Sequence, residues 1–214
     1  MTSESFSVQF DFRALKAAAL CASSEETRYY LKGVFVELSD CGLLAVATDG
    51  HRLLVARPEY NAAGPNEPRF GIIIPLEVIA RLKLVKHAFM GDLVCEAGAW
   101  RLEYDGLSIG FKPVDGTFPD WRRVVPKETN GETSQFNAAY LVAFAKASKI
   151  MGGDTRPAVA YNGEGPALVT LQADIEAFGV LMPYRASIVA TTPPGWIYAN
   201  PKAEAETESQ AAAA

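Results

Sequence analysis

Apolar and polar positions repeat one pattern three times along the chain, at intervals of roughly 50 to 60 residues. Each copy reads as a short strand, a helix and two or three further strands. In the first, from Ser5 to about Pro58, Phe6, Val8 and Phe10 alternate as a strand, and Phe12, Leu15, Ala19 and Ala22 step at helical spacing. Strands follow at Tyr30 to Leu38, Leu43 to Val46, and Arg52 to Ala56 after an Asp49-Gly50 turn. Glu59 to Pro68, with Asn, Gly and Pro, reads as a linker. In the second copy Phe70 to Ile74 is a buried strand, Pro75 starts a helix, and Val78, Ile79, Leu82 and Val85 form its apolar stripe. Strands at Leu93 to Ala97, Ala99 to Tyr104 and Leu107 to Lys112 are joined by Ala97-Gly98 and Asp105-Gly106 turns. The third copy begins at Gln135. Asn137 caps a helix faced by Tyr140, Leu141, Phe144 and Ser148, Gly152-Gly153 ends it, and strands follow at 158–161, 167–173 and 177–182.

A helix with one apolar stripe must lay it on a sheet. The pattern therefore predicts an α+β fold, with helices on one face of antiparallel sheets. The opposite stripes are basic: Arg13 and Lys16 in the first helix, Arg81, Lys83, Lys86 and His87 in the second, Lys146 and Lys149 in the third. Lys83, Lys86 and His87 fall at i, i+3, i+4 and so share a face. The only acids in these segments are Asp11 and Glu77, both in first turns, where the helix dipole favours them. The whole chain carries a formal charge of −5, which taken alone argues against nucleic acid. Solvated helix faces are the plain reading of the basic stripes. The same polarity in three copies points instead to duplex DNA held on one face, through Arg13, Lys16, Arg81, Lys83, Lys86, Lys146 and Lys149.

Candidate chemistry is sparse. The two histidines, His51 and His87, lie in no HxH or HExxH pattern, and there is no GxSxG. An Asp49–His51 pair invites a hydrolase reading, but no third member is apparent, and a hairpin turn accounts for both residues. No catalytic residue, metal site or cofactor is expected. Cys21, Cys41 and Cys95 are widely spaced and odd in number, which predicts reduced thiols in a cytoplasmic protein. No apolar run approaches the ~20 residues of a membrane span. The first residues, Met1 to Ser7, hold no signal-peptide core.

Four strings carry a family resemblance. They are Arg28-Tyr29-Tyr30-Leu31-Lys32-Gly33-Val34, Thr48-Asp49-Gly50-His51-Arg52-Leu53, Phe118-Pro119-Asp120-Trp121-Arg122-Arg123-Val124 and Val180-Leu181-Met182-Pro183-Tyr184-Arg185. In order and spacing the chain from about Phe10 to Pro126 resembles the middle domain of the bacterial DNA polymerase sliding clamp, the beta subunit. The last string resembles that family's C-terminal strand. The resemblance implies clamp-like repeats, no chemistry of its own, and a surface pocket for short peptides of DNA polymerases and repair enzymes. It places Thr48, Gly50, His51, Arg52, Leu53, Pro119, Arg123, Val124, Val180, Met182, Pro183, Tyr184 and Arg185 in that pocket. Leu53, Val124, Val180 and Met182 would be apolar walls, with Arg52, Arg123 and Arg185 holding peptide backbone. Trp121 stands where the family more often has Tyr, and Tyr184 where it often has a second Met.

The resemblance divides the chain into 1–126, two repeats of about 5–58 and 69–126, and a single half-domain repeat at 134–186. The Pro-containing, Ala/Glu-rich stretch 187–214 reads as disordered. Trp196, Ile197 and Tyr198 within it form an apolar cluster expected to fold back over the pocket or over a neighbouring apolar patch. A lone third repeat is expected to leave Tyr140, Leu141 and Phe144 on an open helix face, inviting a homo-dimer or a tetramer. Two functional readings stay open: a small clamp-like protein tethering enzymes to duplex DNA, and a regulatory module that competes for the same peptides without encircling DNA.

Overall fold

The computed structural model describes residues 5–63, 69–85 and 89–184, and they build two antiparallel sheets with three helices. The first copy supplies β1 (Phe6–Asp11), α1 (Arg13–Ala19), β2 (Gly33–Ser39), β3 (Gly42–Thr48) and β4 (Arg52–Arg57). Next come β5 (Tyr60–Ala63), β6 (Phe70–Pro75), α2 (Leu76–Arg81), β7 (Met90–Glu96), β8 (Ala99–Tyr104) and β9 (Leu107–Phe111). The third copy gives α3 (Ala138–Ile150), β10 (Ala158–Ala160), β11 (Ala167–Thr170) and β12 (Glu176–Leu181). The α+β expectation holds.

The repeats exchange their opening strands. β1 pairs with β7 in a sheet ordered β5-β1-β7-β8-β9, while β6 pairs with β2 in a sheet ordered β10-β11-β12-β4-β3-β2-β6. Hydrophobic alternation sets each strand's faces but not its partner. Phe6 of β1 stacks on Phe70 of β6 with ring centroids 5.4 Å apart, which ties the two sheets together. Residues 127–137 hold no strand, so the third copy lacks an opening strand of its own. Its strands instead extend the first copy's sheet: β12 lies antiparallel to β4, with Leu53 opposite Val180 and Val55 opposite Phe178.

The larger sheet is covered on both faces. On the inner face Val34, Val36, Ala45, Ala47, Leu54 and Ala56 pack under Leu15 and Ala18 of α1 and Phe144 of α3. On the outer face Leu44, Val46, Leu53, Val55 and Val180 form a second core beneath Phe118 and Trp121. β3 is therefore buried at five consecutive positions, Leu43 to Ala47. A strand packed on one face only would alternate.

Four expectations need correction. Tyr60–Ala63, within the expected linker, is a strand: its N–H and C=O groups satisfy the open edge of β1, with Phe10 opposite Tyr60. Residues 64–68 of that stretch lie outside the described residues. Tyr30 and Leu31 belong to a 3-10 turn, Glu26–Leu31, and the strand starts only at Gly33. The second helix ends at Arg81, because Leu82 turns extended (ψ 115°) and the Val85 N–H donates to Tyr104 Oη at 2.7 Å. Lys83 is thus outside the helix, Val85 is exposed, and Lys86 and His87 lie outside the described residues. Finally, Phe144 lies on no open face. It is fully buried against α1 and the sheet, and the Tyr140 ring is taken by His51 and Arg52.

Phe144 can lie flat on β12 because residue 179 is glycine: a Cβ there would come within 2.3 Å of the Phe144 ring. An aromatic ring gripped on all sides cannot yield that distance. Gly179→Ala should destabilise the chain by about 1–3 kcal/mol, the usual cost of overpacking. Gly110→Ala, where a Cβ meets nothing within 4 Å, is the control. Urea midpoints of the two variants against the parent check this; equal midpoints for both would show that the Phe144 contact yields freely.

Candidate functional site

The Thr48–Arg52 turn at the end of the β3–β4 hairpin is closed by its own side chains. Thr48 Oγ1 donates to the Arg52 carbonyl at 2.7 Å and accepts from the Gly50 N–H at 3.0 Å. Asp49 Oδ1 accepts from the N–H groups of His51 (2.9 Å) and Arg52 (3.0 Å), while Oδ2 takes Arg52 Nε at 3.0 Å. Gly50 sits at φ +91°, the left-handed conformation the turn requires. Asp49 is thus consumed by the turn, and it meets the backbone of His51 rather than its imidazole. The imidazole stacks on Tyr140 instead, centroids 6.1 Å apart and 14° from parallel.

Two other segments converge here. The His51 carbonyl accepts from the Met182 N–H at 2.9 Å, which brings the end of β12 against the turn. The segment 114–125 crosses the outer face as a strap. The Val114 N–H bonds the Ile73 carbonyl at 2.9 Å, and Phe118 stacks face to face on Phe35 at 4.9 Å. The strap ends in a 3-10 turn, Trp121–Val124. Arg122 pairs with Glu37 of β2, and its guanidinium lies 4.2 Å from the centroid of the Trp121 ring. The ion pair ties the strap to the sheet, and the stacked guanidinium covers the indole from within the strap.

Between turn, strap and strand end lies a pocket of about 190 Å³. Nine of the residues picked from sequence line it: Thr48, Gly50, His51, Arg52, Leu53, Pro119, Val124, Val180 and Met182. Leu53 and Val180 form its buried floor, Val124 is an exposed lip, and Met182 is half-buried. Arg123, Pro183 and Tyr184 do not line it. Tyr184 is exposed and its N–H bonds the Gln135 carbonyl at 2.9 Å; Arg185 lies outside the described residues. Arg52 reaches the pocket with its guanidinium already held by Asp49 and set 4.8 Å from the centroid of the Tyr140 ring. Its role is a wall rather than a free cation. Leu31, Asp120 and Trp121 also line the pocket and were not picked. All three fall within the strings quoted above, so the signal was present at the level of the segment. The Trp121 Nε1 donor is buried without a partner among the described residues.

The basic residues are less uniform than their sequence spacing suggests. The three helices lie side by side, with α1 touching both α2 and α3. Arg13 is tied to Asp11 at 2.7 Å and Asp174 at 3.1 Å and lies over the Phe89 ring. Its hydrogen bond to Asp11 raises its pKa further, so its charge is permanent but neutralised. Lys16 Nζ donates to the Ala80 carbonyl at 3.3 Å, and partial burial lowers its pKa. Arg81, Lys83, Lys146 and Lys149 are exposed, and Lys86 is outside the described residues. Among the described residues no cluster of metal-ligating side chains occurs, and no helix is long and apolar enough to cross a membrane.

The profile of the DNA polymerase III beta subunit central domain matches residues 9–120. The beta sliding clamp of Caulobacter vibrioides is 34% identical over 122 residues, covering 54% of this chain and 32% of its own. That of Escherichia coli K12 is 29% identical over 160 residues, covering 74% and 43%. The chain thus spans between about a third and under half the length of these curated relatives. A Helicobacter pylori beta clamp bound to a DNA ligase peptide superposes with a TM-score of 0.69 at 15% identity, over 87% of this chain and 67% of its own. A Bartonella birtlesii sliding clamp bound to griselimycin gives 0.65 at 22% identity, over 87% and 67%. At such identities the likeness is one of fold.

The pocket's edge is the turn, which the Thr48 hydroxyl and the Asp49 carboxylate close together. Thr48→Val keeps the volume and deletes both hydrogen bonds. It should cost about 1–2 kcal/mol in a chemical denaturation. A variant as stable as the parent would show that the turn is held by Asp49 alone.

Proposed function

The chain belongs to the family of the bacterial DNA polymerase III beta subunit, the sliding clamp, and from that premise we propose a non-catalytic binding protein of DNA replication or repair. It holds short linear peptides of DNA polymerase or repair enzymes in the pocket between Leu53, Val124 and Met182. It rests its helix face on duplex DNA without reading sequence. The observation that carries this reading is the pocket: strings far apart in the chain meet around one apolar cavity, as peptide capture requires. Its floor is aliphatic, its lip holds an adaptable Met, and backbone and side-chain groups of the Thr48–Arg52 turn edge it. The complexes of the two fold relatives with a ligase peptide and with griselimycin support the same use. In this reading residues 1–126 act as the clamp's central domain and 134–186 as a half-domain completing the pocket wall. A second copy would add through the edge strand β10 rather than through α3, giving a dimer or tetramer. The protein would work in the cytoplasm.

A short synthetic peptide carrying a Gln and ending in Leu-Phe should bind saturably at micromolar concentration. Met182→Ala combined with Leu53→Ala should weaken it by at least ~1–3 kcal/mol, since a few anchors dominate such interfaces. Fluorescence anisotropy with a circular dichroism check on folding measures this. No saturation by the parent protein at high micromolar peptide would remove the reading.

The DNA half rests on the exposed Arg81, Lys83, Lys146 and Lys149. Binding to a duplex oligonucleotide should be weak, indifferent to sequence, and steeply reduced by salt through counterion release. Lys146→Glu with Lys149→Glu should weaken it equally for all sequences. One observation favours the competitor module instead: Arg13 is neutralised by two carboxylates in a chain of net charge −5, which leaves a thin basic ridge. Peptide binding without detectable duplex binding at low salt would decide for that module.

A further inference from the structure

The outer face of the β4–β12 ladder carries more apolar surface than the pocket uses. Cross-strand pairs on that face run Leu53–Val180, Val55–Phe178 and Arg57–Glu176. The first pair floors the pocket. Trp121 lies across the ladder, its ring 6.4 Å from that of Phe178. On its far side a second cavity of about 370 Å³ opens over Leu44, Val55 and Phe178. Arg57, paired with Glu176 at 3.2 Å, and Arg122, paired with Glu37, stand at its rim. Trp121 is therefore a wall common to both cavities. It is 8% exposed, and its Nε1 is the one buried side-chain donor without an acceptor among the described residues. A buried N–H left unpaired is a standing cost.

We propose that this second cavity is a further socket for the same linear peptide, taking one large apolar side chain as the chain crosses Trp121. The inference rests on the peptide-binding reading of the pocket. Successive same-face pairs of a ladder are ~7 Å apart, so an extended peptide reaches from one cavity to the other in roughly two to four residues. The rim cations are already paired, so the socket selects by apolar size and not by charge. Trp121, which stands where the resembled family more often has Tyr, is then a specificity-determining residue of this chain: it divides one apolar strip into two sockets.

The test uses the full chain and fluorescence anisotropy. The short Gln-containing peptide ending in Leu-Phe is compared with versions extended by three residues at either end, bearing Leu or Ser at the outermost position. Leu should bind at least ~10-fold tighter than Ser at one of the two ends, the return on burying part of one aliphatic side chain. Trp121→Phe should reduce that gain. Cys41 lines the socket and is exposed, whereas Cys21 and Cys95 are buried and burial pushes the Cys21 thiol up to about 12. A bulky maleimide on Cys41 should therefore fill the socket, abolish the Leu gain and spare the short peptide. If the short peptide binds but Leu equals Ser at both ends, or the gain survives alkylation, the socket is overturned and the pocket stands. If the short peptide itself fails to bind, the pocket reading falls and the socket with it.

Discussion

The pairing of β4 with β12 is the constraint from which the pocket follows. It joins residues 52–57 to 176–181 by an antiparallel ladder. Closing so long a loop is entropically costly, so the ladder needs strong packing on both faces to persist. The inner face supplies Phe144 fitted against Gly179, and the outer face supplies Leu53 and Val55 against Val180 and Phe178. Once the ladder is set, the Met182 N–H falls within reach of the His51 carbonyl. The pocket then forms at the strand ends.

The strap 114–125 turns a two-layer arrangement into a three-layer one over β3 and β4. Without Phe118 on Phe35 and Trp121 on the ladder, the outer residues Leu44, Val46, Leu53 and Val55 would be an exposed apolar patch. The strap covers part of it and leaves open cavities on either side of Trp121. The buried outer core and the open cavities are thus two outcomes of one incomplete covering. The same segment carries Arg122, whose pairing with Glu37 and stacking on Trp121 fix how far the covering extends.

Much of this was legible in sequence where local chemistry decides. The Asp105-Gly106 and Ala97-Gly98 turns appear as two-residue hairpins with both positions at positive φ, and Asn137 caps α3 by accepting the Ala139 N–H at 3.0 Å. Nine of the thirteen residues named for the pocket line one cavity, and all nine sit in short strings carrying a family resemblance. What stayed hidden were matters of partnership. Tyr60–Ala63 looks like a loop until the open edge of β1 needs a neighbour. Val85 fits a helical stripe until Tyr104 takes its N–H. Trp121 reads as a mild substitution until its position between two cavities is known. Spacing reports which face a residue shares with its sequence neighbours. It does not report which distant group arrives there.

Arg13 shows how the same limit applies to charge. Its spacing with Lys16 and its place in a basic stripe make it a natural phosphate ligand. In the fold it lies at the start of α1, gripping Asp11 beside it and Asp174 in the turn before β12. At 14% side-chain exposure and stacked over Phe89, it belongs to the joint between the first and third repeats. Moving it toward a phosphate would leave two carboxylates facing each other without a cation, which costs more than one screened phosphate contact returns. Any electrostatic hold on DNA therefore rests on cations elsewhere, Arg81 at the end of α2, Lys83 just beyond it, and Lys146 and Lys149 on α3, all exposed to solvent. The repeat that completes the pocket wall also presents Lys146 and Lys149, so the pocket and that part of the basic ridge depend on the same docking of α3 and β12.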